Sequence, residues 1–241
     1  MKFSFSEYKT ILEAFKNRWV MFDNVTDKPF VLMRHDVEFS IERAYSLGQI
    51  EIENSVKSTF NFQVCCETYN VFSATNSEKI RALKKMGHEI GLHFYANHLN
   101  KKNIDDLIIS LYSQKKLLEA AIDIEISTFS FHRPKDWMLE IRKDQIGGML
   151  NQYGKSFFEF SKEPKNIKYV ADSRHSWDYG YPLDYIKKDR LQVLTHPDEW
   201  SLNGLNEANN FRLLKAELSS KISEAFLSES PRNFTQYKNQ I

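Results

Sequence analysis

Short apolar runs alternate along this chain with longer helix-patterned stretches, and that alternation limits it to few folds. Phe30–Val37 reads as a first strand, and residues 40–57 as a polar helix. Residues 59–64 alternate apolar and polar side chains as a second strand, and residues 77–86 form a helix that Gly87 stops. Residues 89–92 give a third strand, and 103–121 the clearest helix, with Ile104, Leu107, Ile108, Leu111 and Leu118 on one stripe behind an Asn103 cap. Strands follow at 124–131, Lys168–Ala171 and 191–195, with residues 138–150 read as helical. Strands separated by helices imply parallel pairing through right-handed crossovers, which a doubly wound sheet and a barrel both satisfy.

Composition narrows the function classes. The 241 residues suit one α/β domain, and a 41% hydrophobic content supplies its core. Thirty-three basic against 32 acidic side chains leave no overall field to attract nucleic acid or an anionic membrane. Cys65 and Cys66 are sequence neighbours, a poor geometry for a disulfide, and are read as packed thiols. The first residues reach charge too soon for a signal-peptide core, and no apolar stretch approaches the ~18 residues of a membrane span. The expectation is a soluble cytoplasmic protein.

Reactive side chains gather just after the apolar runs, where parallel α/β proteins place their sites. The first run ends in Arg34-His35-Asp36-Val37-Glu38. Alternate strand residues share a face, so Asp36 and Glu38 point one way and His35 the other. Two carboxylates there are costly unless a proton transfer or a metal ion uses them. Later clusters hold His93 with Asn97 and His98, then His132-Arg133-Pro134, then Asp172 with Trp177, then Thr195-His196-Pro197.

In order and content these clusters resemble the polysaccharide deacetylase family, also called carbohydrate esterase family 4. The resemblance runs from about residue 31 to 197. It rests on Asp36 and Glu38, on Gly87-His88-Glu89-Ile90-Gly91 with His93, on Arg133-Pro134, on Asp172 with Trp177, and on Leu194-Thr195-His196. The Arg-His-Asp-Val-acid opening and the Leu-Thr-His-Pro ending resemble a bacterial branch associated with surface-polysaccharide biosynthesis. The fold so implied is a distorted (β/α) barrel in one domain over residues 1–241. Its motif-bearing core spans about 30–200, and a C-terminal helix covers about 207–227.

The activity implied is metal-dependent hydrolysis of a linear amide, removing an acetyl or formyl group from an amino sugar or its nucleotide- or lipid-linked form. Zinc is the expected ion. By resemblance Asp36 is the base, Arg133 holds it, His196 is the acid, and Glu38, His93 and His98 are the metal ligands. Asp172, Trp177 and Trp137 line the substrate cleft. Two positions depart from the family pattern. Glu38 stands where aspartate is usual, and the histidine four residues after His93 is replaced by Asn97, with His98 one further on. Asn97 or water is therefore an alternative ligand to His98. In a second register Asp36 binds the metal and His35 is the base.

Bland alternatives accompany these assignments. Trp137, Trp177 and Trp200 either stack on sugar rings or cap the barrel mouth. His88 and His175 read as structural. The C-terminal helix, with Phe211, Leu214 and Leu218, serves the core or a contact between copies in a homo-oligomer. A carbohydrate-binding protein that has lost its metal is the competing function.

Overall fold

The computed structural model describes residues 3–99, 102–161 and 165–229. Its strands are β1 (Trp19–Val20), β2 (Phe30–Val37), β3 (Thr59–Phe62), β4 (Glu89–Tyr95), β5 (Thr128–His132), β6 (Gln145–Ile146), β7 (Met149–Asn151), β8 (Lys168–Ala171) and β9 (Arg190–Thr195). The helices are α1 (Phe5–Ala14), α2 (Ile41–Glu53), α3 (Ala74–Met86), α4 (Ile104–Ile122), α5 (Asp136–Leu139) and α6 (Glu207–Glu229). Among the described residues all nine strands join one sheet in the order β6-β7-β5-β4-β3-β2-β9-β8, with β1 added beside β2. Every pairing is parallel except the β6–β7 hairpin.

Strand periodicity decides what faces the barrel interior. Along β2, Val31 and Met33 pack outward in one cluster with Ile11 of α1 and Leu47 of α2. Phe30 and Leu32 turn inward against Phe157 and Ile167, and Arg34 and Asp36 continue on that inner face. The sheet curls until distant parts of this face meet. Asn61 on β3 and Gln152, just after β7, exchange two amide hydrogen bonds of 2.9 Å. Gln192 on β9 donates to the carbonyls of Gln152 and Phe157 at 3.0 and 2.8 Å. Among the described residues β6 and β8 do not pair, so the barrel stays irregular, as its sequence resemblance implies.

This polar interior leaves no slack at Gly91 on β4. A Cβ there would lie 2.2 Å from Asn61 Oδ1 and 3.0 Å from Thr128 Cγ2. Gly91→Ala is expected to cost about 1–3 kcal/mol through overpacking. A urea midpoint unchanged from that of the parent protein would show that the interior relaxes.

Several readings of the sequence change, among them the second strand, which ends at Phe62, and the third, which runs on to Tyr95. Residues 138–150 are not a helix: α5 stops at Leu139, and β6 and β7 turn back through Gly147 and Gly148. Both glycines have positive φ, +57° and +79°, the pairing that favours a two-residue hairpin loop. Helix α1 went unread. Its N-cap Ser4 accepts from the Glu7 N–H, and it buries Tyr8, Ile11 and Leu12. Strand β5 runs from Thr128 to His132, later at both ends than the expected 124–131. On α6, Leu214 is buried, whereas Phe211 and Ile222 are exposed.

Behind the sheet lies a buried polar network. Tyr8 and Ser58 hydroxyls donate to the two Glu51 carboxylate oxygens at 2.7 and 2.6 Å. The Glu51 carboxylate also pairs with His35 Nε2 at 3.0 Å, and His35 Nδ1 meets the Thr195 hydroxyl at 2.6 Å. His88 completes the cluster, accepting from the Ser58 N–H. Burial disfavours ionisation of Glu51, yet His35, His88 and Ser58 together hold it below the usual carboxylate range.

Candidate active site

Strands β2, β4 and β5 deliver three metal-type donors to one point. Glu38 follows β2 directly, His93 sits on the inner face of β4, and His132 ends β5. Glu38 Oε1 is 3.3 Å from His93 Nε2 and 2.9 Å from His132 Nδ1, and the two ring nitrogens are 3.1 Å apart. A triangle of this size suits three donors at ~2.0–2.2 Å from one small cation.

Hydrogen bonding prepares His93 for that role. The Ser130 hydroxyl donates to Asp36 Oδ1 at 2.7 Å, so its oxygen can only accept from His93 Nδ1, 2.8 Å away. A neutral His93 therefore carries its proton on Nδ1 and turns a bare Nε2 lone pair toward Glu38 and His132. The Ser130 contact fixes the ligand tautomer from outside the donor set. Burial works against ionising Glu38, but the adjacent His132, His93 and His196 outweigh that and hold the carboxyl far below its usual range. An anion and a bare lone pair meeting at one point, with little room for protons between them, is a donor set that fits a divalent cation.

Asp36 stands beside this triangle, almost wholly buried. Its Oδ1 accepts from Asn61 Nδ2 at 2.9 Å as well as from Ser130. Its Oδ2 lies 3.4 Å from Arg34 Nη2. Burial pushes the Asp36 carboxyl up, but Arg34, His93 and His196 pull it below the normal carboxylate value. Arg34 is fully buried, donates to the Tyr153 hydroxyl at 2.6 Å and stacks over that ring at 4.4 Å.

His196 faces the same cleft from the end of β9. Its Nδ1 pairs with Asp172 Oδ1 at 2.7 Å, its backbone N–H donates to both Asp172 oxygens, and Trp200 Nε1 donates to Asp172 Oδ2 at 2.8 Å. Burial disfavours the imidazolium, but Asp172, aided by Glu38 and Asp198, raises its pKa to about 10. His196 is thus held charged, with Nε2 left to act. The cleft has a volume of about 260 Å³. Its walls are largely aromatic, with Phe131, Tyr153, Phe158, Tyr169 and Tyr179 among them.

Several expected positions move. His98 is exposed and pairs with the Ser110 hydroxyl at 2.8 Å; Asn97, also exposed, donates to the Tyr95 hydroxyl. Neither joins the donors, because the chain stays extended to Tyr95 and then turns away. His132 replaces them, opposite Tyr95 in the sheet register. Arg133 borders the cleft but is exposed and strained, with φ +49°; the guanidinium against Asp36 is Arg34, two residues back on the same strand face. Asp172 is buried beneath His196 rather than lining the cleft. Trp137 lies half-buried beside a separate surface hollow, and Trp177 is packed against Phe3, Tyr181 and Trp200. His35 faces the rear network, as the strand period requires. Cys66 lies near the site only through its backbone contact, Sγ to the Glu38 carbonyl at 3.4 Å. His175 pairs with Glu199 at 2.7 Å.

The Asp172–His196 pair makes a pH prediction. A general acid works below its pKa and a carboxylate base above its own. Activity should therefore have an acid limb set by Asp36 and an alkaline limb set by His196. Asp172→Asn is expected to move the alkaline limb from near 10 toward the ordinary imidazole value of about 6.5. The acid limb should stay in place. A kcat/KM profile with its alkaline limb unmoved would remove Asp172 from this role.

No protein-family description matches this chain, and no curated protein matches it in sequence. Solved structures do match. A chitin deacetylase from the fungal pathogen Colletotrichum lindemuthianum aligns over 81% of this chain and 84% of its own, with a TM-score of 0.50 and 16% identity. A family 4 carbohydrate esterase from Streptomyces lividans, solved with acetate, gives a TM-score of 0.45 and 15% identity over 78% and 88% of the two chains. A carbohydrate esterase family 4 pseudoenzyme from Bacillus anthracis gives a TM-score of 0.47 and 18% identity over 81% of this chain, which spans 62% of that protein's length. At these identities the likeness concerns fold alone, and the curled (β/α) barrel is what this chain shares with the chitin deacetylase.

Proposed function

We propose that this protein is a metal-dependent hydrolase that removes an N-acyl group, acetyl or formyl, from an amino sugar. The observation that carries the reading is the convergence of Glu38, His93 and His132 beside a cleft that Glu38 and His93 share with an ionised Asp36 and a protonated His196. A divalent ion, most simply zinc, would be held by those three donors and would supply an acidified water and a polarised amide carbonyl. Asp36, kept ionised by Arg34 and oriented by Asn61 and Ser130, takes a proton from the attacking water. His196, charged and anchored by Asp172, gives a proton to the departing amine nitrogen. Aromatic walls supply flat apolar faces for a sugar ring and limit water around the reacting bond.

The substrate context extends the same reading. No helix among the described residues is long and apolar enough to cross a membrane. A nucleotide- or lipid-linked amino sugar used in surface-polysaccharide biosynthesis in the cytoplasm suits the sequence resemblance. The test is purified protein assayed for bound metal and for acetate or formate released from N-acyl sugars. One equivalent of metal with chelator-sensitive release supports it. A metal-free protein that binds sugar without hydrolysis, under zinc-replete conditions, would establish the competing carbohydrate-binding role instead.

A further inference from the structure

A second cavity of about 540 Å³ adjoins the metal cleft. Phe160, Tyr169 and Tyr179 line both spaces and pack against one another, so the two spaces meet at one cluster of rings. Trp177, Tyr185 and Lys168 enclose the far part.

Lys168 is the unusual member. It is only 8% exposed; its stem is packed away while it lines the cavity, and the loss of water around the ammonium is costly unless an anion meets it. Its Nζ lies 4.7 Å over the Tyr185 ring, a cation–π contact that offsets part of that cost. Two carboxylates border the cavity, and both are engaged elsewhere. Glu159 accepts the backbone N–H groups of residues 165–167, and Asp178 accepts from Ser176 and Arg174. Among the described residues Lys168 forms no ion pair. The cavity thus presents one lysine cation with no carboxylate partner among the described residues, set among ring faces, at the edge of the reaction cleft.

We propose that this cavity binds an oxyanion carried by the substrate next to its N-acyl sugar, either a phosphate or the carboxylate of a neighbouring sugar acid. The proposal rests on the hydrolase reading for the position of the acyl group, and Lys168 acts in recognition rather than in the chemistry. A charge-assisted hydrogen bond of this kind is worth about a 10- to 100-fold difference in affinity.

The experiment titrates the zinc-loaded protein with four probes while following tryptophan fluorescence. They are the methyl glycoside of N-acetylglucosamine, N-acetylglucosamine 1-phosphate, its uridine diphosphate ester, and a disaccharide joining glucuronate to N-acetylglucosamine. At least one anionic probe should bind about ten-fold or more tighter than the neutral glycoside. Which one does so separates phosphate from carboxylate. Lys168→Gln should abolish that preference, and Lys168→Arg should keep it. Equal affinity for all four probes, or no saturable binding of any anionic probe, overturns the proposal. So does a folded Lys168→Gln protein that retains the preference. If Lys168→Gln does not fold, the parent protein and Lys168→Arg decide. Acyl release is measured on the same samples. An anion preference without acetate release would sink the N-acetyl form of the hydrolase reading alone, and release without a preference would sink this inference alone.

Discussion

Replacing His132 with alanine should strip the protein of its metal and its activity together. Outer-sphere changes at metal sites already cost 10- to 100-fold in affinity, so losing a direct donor should weaken binding by at least about 100-fold. His132 Nδ1 closes the triangle with Glu38 and His93 at 2.9 and 3.1 Å, and no other titratable donor among the described residues takes its place. Metal analysis after dialysis against low free zinc reads the result directly. His98→Ala provides the contrast, since His98 pairs with Ser110 on the surface; its metal content and rate should match the parent protein. A His132→Ala protein that keeps a full equivalent of zinc would overturn the ligand assignment.

Asp36→Asn should separate chemistry from metal binding. Removing a general base typically costs about 10²–10⁴ in rate, and the loss should appear in kcat. Metal content should persist, because the Asp36 oxygens meet Asn61, Ser130 and Arg34 rather than the open centre of the donor triangle. Arg34 then faces a neutral amide, and some loss of thermal stability should accompany the change, since a buried guanidinium has lost its counter-charge. If the variant loses its metal as well as its rate, Asp36 is a ligand, and the base must be sought elsewhere.

Much of this arrangement is legible from a period of two. The alternation that places Asp36 and Glu38 together and His35 behind needs only the strand assignment of Phe30–Val37. The same rule, carried one step back, puts Arg34 beside Asp36. The family-like Arg133-Pro134 pair masks that simpler partner. His132 escapes for a similar reason: ending β5 at Phe131 leaves it outside the strand, although Ser130 and His132 share the inner face once β5 ends at His132. His98 misleads because a helical spacing is applied to a segment that stays extended to Tyr95. The cleft walls contributed by Tyr153, Phe158 and Tyr179 come from irregular segments, whose positions follow from long-range packing and not from local pattern. The Gly147-Gly148 turn is different, since two adjacent glycines flanked by Ile146 and Met149 do carry a hairpin signal.

The rear network of Tyr8, Glu51, Ser58, His35 and Thr195 has a consequence for how such a protein can change over time. His35 immediately precedes Asp36, and Thr195 immediately precedes His196, and the two are joined by a 2.6 Å hydrogen bond behind the sheet. The spacing of Asp36 and His196 is therefore fixed from behind the sheet, away from the cleft. Loops at the barrel mouth are free to lengthen, shorten or exchange aromatic for charged residues without disturbing that spacing. The cleft and the network that sets this spacing sit on opposite sides of one sheet, so the cleft walls can be remodelled while the network is left intact.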